Sequence, residues 1–93
     1  MYVIVAFDVS DERVRGRLRR FLRFLGLSMV NRSVYAGVGG QSIVEKIREK
    51  AGELVGERDS VFIVLVQEQE YMRAVLCTKV DCKRVEDISF EVV

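Results

Sequence analysis

The 93-residue sequence contains no histidine and only two cysteines. Without histidine there is no imidazole general base, no Ser-His or Cys-His nucleophile pair, and no histidine-ligated metal. Hydrolytic chemistry would therefore need carboxylates, a hard metal ion, or both. Cys77 and Cys82 are too few and too oddly spaced for a zinc site, which takes four ligands. They read as half-buried, reduced thiols, with a Cys77 to Cys82 disulfide as the alternative in a hyperthermophilic host. No apolar run approaches the roughly 20 residues of a membrane span, and the start of the chain lacks the pattern of a signal peptide. A cytoplasmic location and no membrane partner are expected. Gly37, Gly39 and Gly40 match neither a P-loop nor a dinucleotide fingerprint, because no G-K-[ST] follows, so turn chemistry explains them.

What is present is the composition of a globular domain, 49% apolar and 31% charged, with a formal net charge of +1 that names no partner. Residues 1–93 have room for a single domain, and one of this size buries only about two thirds of its unfolded-chain surface. Oligomerisation supplements such a core, and a dimer is expected. Tyr2 to Phe7 is apolar on both faces, as in a central strand, and ends at Asp8. Ser10 is a candidate N-cap for a helix whose stripe is Val14, Leu18, Phe21, Leu22 and Leu25, stopped by Gly26. Leu27 to Val38 is β-rich and reads either as a hairpin or as one bent strand. Ser42 and Glu45 form a capping box ahead of a second helix that runs to about Gly56. Asp59-Ser60 then launches Val61 to Val66, again apolar on both faces and read as a second central strand.

Beyond Val66 the pattern weakens. Gln67 to Glu70 reads as a polar connection, Met72 to Cys77 as a short strand or irregular segment, Lys79 to Asp87 as a charged loop, and 88–93 as a terminal strand. The order is that of an α+β, ferredoxin-like β-α-β-β-α-β sandwich with an additional C-terminal strand. Its helices cover one sheet face. The other face needs a cover, which a second copy of the same sheet would supply.

The charge is distributed unevenly. Arg13, Arg15, Arg17, Arg19, Arg20 and Arg23 fall within eleven positions of the first helix, and only Asp11 and Glu12 offset them nearby. In the second helix Glu45, Glu49 and Glu53 interleave with Lys46, Arg48 and Lys50, so charges cancel locally. Arginine clusters of the first kind suit bidentate contact with phosphate and mark nucleic-acid binding, and Arg32 extends the patch. Asp8, at a strand end before a helix, is either a hydrogen-bonding group for the following turn or a ligand for a hard divalent ion. A metal site would need Asp8 of a symmetry mate, or Asp11 or Glu12, to complete it. Ser10 could also touch a phosphate at the helix N-terminus. Phe7 and Tyr35 are more often core residues than stacking ones.

Taken in order, an apolar strand ending in Phe7-Asp8, Ser10-Asp11, an arginine-bearing helix, the run Gly26 to Gly37 with Ser33-Val34-Tyr35, and Asp59-Ser60-Val61 resemble the CRISPR-associated protein 2 family. The resemblance implies a homodimer with sheets packed face to face and C-terminal strands completing the partner's sheet. It further implies an Mg²⁺-dependent endonuclease acting on single-stranded RNA or double-stranded DNA, with partnership to the larger CRISPR integrase subunit in spacer acquisition. By position it makes Asp8, from both protomers, the catalytic and metal-binding residue, Arg15 and Arg17 the helix arginines, and Phe7, Ser33 and Tyr35 site-lining residues. Asn31 stands where glutamine is frequent, and Phe7 where tyrosine is. Two other functions fit less of the chain: a non-catalytic scaffold for duplex DNA and the integrase subunit, and a small-molecule-sensing ferredoxin-like module, which leaves the arginine helix unexplained.

Overall fold

The opening apolar run forms strand β1, Tyr2–Asp8. In the computed structural model, which describes residues 1–88, there follow α1 (Glu12–Phe24), β2 (Ser28–Asn31), β3 (Val34–Val38), α2 (Gln41–Leu54) and β4 (Ser60–Val66). A short helix α3 (Glu68–Arg73), strands β5 (Val75–Cys77) and β6 (Cys82–Arg84), and a 3-10 turn over Val85–Asp87 complete them. The terminal strand expected over 88–93 lies, apart from Ile88, outside the described residues.

The main sheet has the order β2-β3-β1-β4, with every neighbouring pair antiparallel. This is the ferredoxin-like α+β arrangement, and Leu27 to Val38 resolves into a hairpin. Strand alternation sorts the side chains. Val3, Val5 and Phe7 are buried with Tyr35 and with Leu18, Leu22 and Ile47 of the two long helices. Tyr2, Ile4, Ala6 and Asp8 point to the opposite face.

That second face is not wholly open. Tyr71 and Val85 pack on Ala36 beside Tyr2, Ile4 and Val66, and the Tyr2 and Tyr71 rings stack with centroids 4.5 Å apart. Burial, with a smaller contribution from neighbouring Tyr2, pushes the Tyr71 phenol above its ordinary pKa. The chain thus covers one end of the face itself. Among the described residues nothing covers the other end, around Asp8, where Phe62 is 65% exposed across from Ala6.

Several local expectations change. β4, read as central, is an edge strand of the protomer's sheet; Val61, Ile63 and Leu65 pack on the helix-side core and Val66 on the second cluster, while Phe62 stays exposed. Asp11, not Ser10, caps α1, accepting from the amides of Arg13 at 2.8 Å and Val14 at 3.1 Å. Ser10 is drawn away because its amide and hydroxyl donate to Asp59, 49 residues on. The Ser42 and Glu45 capping box does not form: α2 starts two residues earlier, with Gly40 at the N-cap and no side-chain cap. Gln41 instead donates to Glu45 at 2.9 Å.

Gly26 ends α1 as expected. Its φ of 92° permits a Schellman turn in which Gly26 N–H reaches the Arg23 carbonyl and Leu27 N–H the Leu22 carbonyl. Gly37 is required by close approach, since a Cβ there would lie 2.9 Å from the Leu27 Cα. The cysteines are exposed and joined in a disulfide, contrary to the reduced-thiol reading. The β5–β6 register sets Cys77 directly opposite Cys82, around a turn closed by Thr78 N–H to the Asp81 carbonyl. Gln67 to Glu70, read as a connection, instead begins α3, with Gln67 at its N-cap.

Candidate nucleic-acid interface

The end of β1 is held from two sides. Phe7 N–H donates to the Ser33 carbonyl at 3.0 Å, which ties the strand to the β2–β3 turn. That turn is shaped by Asn31, whose side-chain carbonyl accepts from Ser33 N–H at 2.9 Å, an Asx-type contact. On the other side Asp59 grips Ser10 and also accepts from Gly56 N–H at 2.8 Å. The Gly56 amide first, then the Ser10 amide and hydroxyl, hold the Asp59 carboxyl below its ordinary pKa.

Asp8, between these two anchors, is exposed and makes no hydrogen bond to the side chains or turns of the described residues. Its backbone pairs with Ser60 of β4. A carboxylate that is merely a turn-former would be engaged, as Asp11 and Asp59 are.

Asp8 lines a cleft of about 530 Å³ together with Phe7, Val9, Glu12, Arg15, Arg19, Arg32 and Ser33. Three arginines and two acidic residues thus line one depression. Arg15 donates to the Val9 carbonyl at 2.9 Å and more weakly to the Ser10 carbonyl, while Arg19 donates to the Arg32 carbonyl at 2.8 Å. Both arginines are half-buried and held by backbone acceptors, which leaves their charge unneutralised.

The remaining arginines are arranged differently. Arg13, Arg17 and Arg20 are exposed on α1 and do not line the cleft. Arg23 extends the Arg15–Arg19 row and donates to the Tyr35 hydroxyl at 3.3 Å. Among the described residues no ion pair involves any arginine of α1.

Of the four expected lining residues, Phe7 and Ser33 line the cleft. Ser10 does not, being occupied by Asp59, and Tyr35 is fully buried behind Phe7 with ring centroids 6.0 Å apart. Asp11 is spent as a cap, so of the nearby acids only Glu12 shares the cleft with Asp8. Asn31 and Asp59, which the sequence offered only as a departure from glutamine and as the start of a strand, are positioning residues. The Asn-x-Ser spacing of an Asx turn was a usable signal for the first; the second acts through a contact that no local pattern records.

Among the described residues, no three potential ligands gather to hold a metal ion. Mg²⁺ does not require that: it keeps several waters and uses one or two carboxylates with substrate phosphates. An exposed Asp8 without a side-chain partner among the described residues fits that donor set, with Glu12 lining the same cleft.

The family model described as CRISPR associated protein Cas2 matches residues 1–74. The chain belongs to the Cas2 family. A Cas2 from Thermofilum pendens, described as a CRISPR-associated endoribonuclease, is 53% identical over 92 residues and covers 99% of both chains. A CRISPR-associated endonuclease Cas1/endonuclease Cas2 fusion from Thermoproteus tenax is 34% identical over 55 residues, 59% of this chain and 21% of that much longer one. The crystal structure of Streptococcus pyogenes Cas2 superposes with a TM-score of 0.63 at 23% identity, covering 84% of this chain and all of that one, a likeness of fold. Within this Cas2-family chain, the aspartate at the strand end and the arginine-lined cleft are neighbours. Among the described residues no helix is long and apolar enough to cross a membrane.

Proposed function

We propose that the chain is a Mg²⁺-dependent endonuclease of CRISPR spacer acquisition that acts as a homodimer on RNA. The observation that carries this reading is Asp8: exposed, without a side-chain partner among the described residues, and in the same cleft as three arginines. The naming of its 53%-identical relative as an endoribonuclease supports the choice of RNA. A second copy would cover the Asp8 end of the sheet, where Phe62 is exposed, and would bring a second Asp8 near the first.

In this arrangement Asp8 of each protomer holds the metal, with Glu12 available beside it. Bound Mg²⁺ supplies Lewis-acid polarisation of a phosphoryl oxygen and lowers the pKa of its water. The chain's own contribution is positional and electrostatic. Arg15, Arg19 and Arg32 hold strand phosphates, which places the strand against Asp8. No imidazole is needed, because a carboxylate remains to accept a proton.

The test is cleavage of single-stranded RNA with and without Mg²⁺ by wild type and Asp8→Asn, alongside light scattering. Asp8→Asn is expected to lower cleavage by about 10²-fold or more while leaving the dimer and most RNA affinity intact. Cleavage at the wild-type rate would overturn the assignment. A scaffold for duplex DNA and the larger integrase subunit is the second reading, favoured by the Cas1/Cas2 fusion relative and by the unpaired outward arginines. It expects Asp8→Asn to leave spacer acquisition untouched.

A further inference from the structure

Arg19 is the anomaly of α1. Its Nη2 is committed to the Arg32 carbonyl at 2.8 Å, which draws the guanidinium under the β2–β3 turn. Its Nε is buried with no hydrogen-bond partner among the described residues. A guanidinium N–H withdrawn from water is equally withdrawn from an outside acceptor, so Arg19 can meet a ligand only through the part of its half-buried side chain that lines the cleft.

The acceptor's chemistry follows from the surroundings. Arg19 lines the cleft with Arg15 and Arg32, and Arg15 is itself fixed by the Val9 carbonyl. Three guanidinium groups, two of them pre-set by backbone acceptors, suit a tetrahedral oxyanion with several lone pairs. The cleft, about 530 Å³ between α1 and the β2–β3 turn, has room for a nucleotide and not for a duplex. A duplex presents its phosphates on a convex surface and would meet the exposed Arg13, Arg17 and Arg20 first.

We propose that the cleft is a nucleotide subsite for a single strand, in which Arg15, Arg19 and Arg32 hold the phosphodiester next to the one positioned at Asp8. This rests on the reading of Asp8 as the scissile-phosphate site. It divides the arginines of the chain by substrate: the cleft trio serves a single strand, and the outward row serves either strand form.

The decisive variant is Arg32→Gln. Arg32 is exposed and offers its backbone carbonyl, not its side chain, to Arg19, so the substitution leaves the internal contact in place. Binding of a short single-stranded RNA, and of a duplex of the same sequence, is measured by fluorescence anisotropy over a salt series without divalent ions. Asp8→Asn, Asp8→Asn with Arg32→Gln, and Asp8→Asn with Arg17→Gln are compared. Arg32→Gln is expected to weaken single-strand binding about tenfold and to reduce the salt slope by about 0.7, the loss of one phosphate contact, with duplex binding within about twofold. Arg17→Gln is expected to weaken both. In the otherwise wild-type protein, Arg32→Gln is expected to raise KM for RNA about tenfold with kcat nearly unchanged, as for a contact made equally in ground and transition states.

Equal losses for the two strand forms, or no loss for either, would overturn the subsite. Failure of the Asp8 reading shows separately, as cleavage by Asp8→Asn, and leaves the strand-form comparison readable.

Discussion

Helices α1 and α2 lie on the same face of the same sheet, and each buries its apolar stripe in one core, yet their polar surfaces follow opposite rules. On α2, Arg48 pairs with Glu45 at 3.5 Å and Lys50 with Glu53 at 3.9 Å. Such exposed pairs contribute little stability, typically about 0.2–1 kcal/mol, but they cancel the helix's charge where it stands. On α1, six arginines form no ion pair among the described residues, and three of them turn to backbone carbonyls or a phenol instead. The difference shows that a near-neutral total can conceal one neutralised helix and one whose charge stays uncompensated among the described residues.

The two helices also begin differently. α1 is capped by the Asp11 side chain and its approach is tethered by Asp59, whereas α2 starts on the Gly40 backbone alone. The better-anchored entry is the one next to Asp8. This assigns the local investment in order to the end of the molecule that carries the proposed site.

If the helices differ in charge and capping but not in packing, equivalent truncations of their cores should cost the same. Leu18→Ala on α1 and Ile47→Ala on α2, both fully buried, are each expected to lose about 2–5 kcal/mol in urea unfolding. A near-zero cost for either would break the comparison, because that helix would then not be supporting the core. Charge reversal separates the polar faces. Arg13, Arg17 and Arg20 changed together to Glu should weaken duplex DNA binding by about a hundredfold, about 2.7 kcal/mol. The same reversal of Lys46, Arg48 and Lys50 should cost less than about threefold; equal losses would show a diffuse field and no interface.

The smallest expected effect concerns the entry of α1. Hydrogen bonds from Gly56 and Ser10 depress the Asp59 pKa in the folded state relative to its ordinary value of 3.8. The stabilisation is therefore complete above that ordinary value and is lost as pH falls through the lowered folded-state pKa. Unfolding midpoints in urea measured down to about pH 2 should fall on this acid limb, and Asp59→Asn should flatten that contribution. A wild-type acid limb in Asp59→Asn would assign it to other carboxylates.

Much of the fold was readable locally. Alternation in Tyr2 to Asp8, the three-four stripe from Val14 to Leu25 and the glycine at position 26 each report an element and one of its ends. Asp8 was readable as a candidate because a carboxylate after six apolar residues stands out, and the arginines because their local acids are too few. Other features were not readable, each for a physical reason. Ser10, Asp11 and Glu12 offer three capping oxygens in succession, and the choice among them depends on Asp59, remote in sequence. Cys77 and Cys82 bond because a hairpin register opposes them, and the short, charged strands that set that register carry almost no periodic signal.

The absence of histidine removed imidazole catalysis and left carboxylate and arginine chemistry, a limit that composition alone imposes. The sequence also determined the order of elements, the buried stripes and the segregation of charge onto α1, since all three follow from side-chain spacing within one element. Only the tertiary structure decided which arginines meet Asp8. Arg15 and Arg19 come from α1, Arg32 from the β2–β3 turn and Asp8 from the end of β1, and no period within one segment relates them. Sheet order decided equally that β4 lies at an edge and that α3 and the 3-10 turn cover one end of the second face. Spacing along the chain governs what an element shows to its surroundings, while long-range packing governs which surroundings it meets.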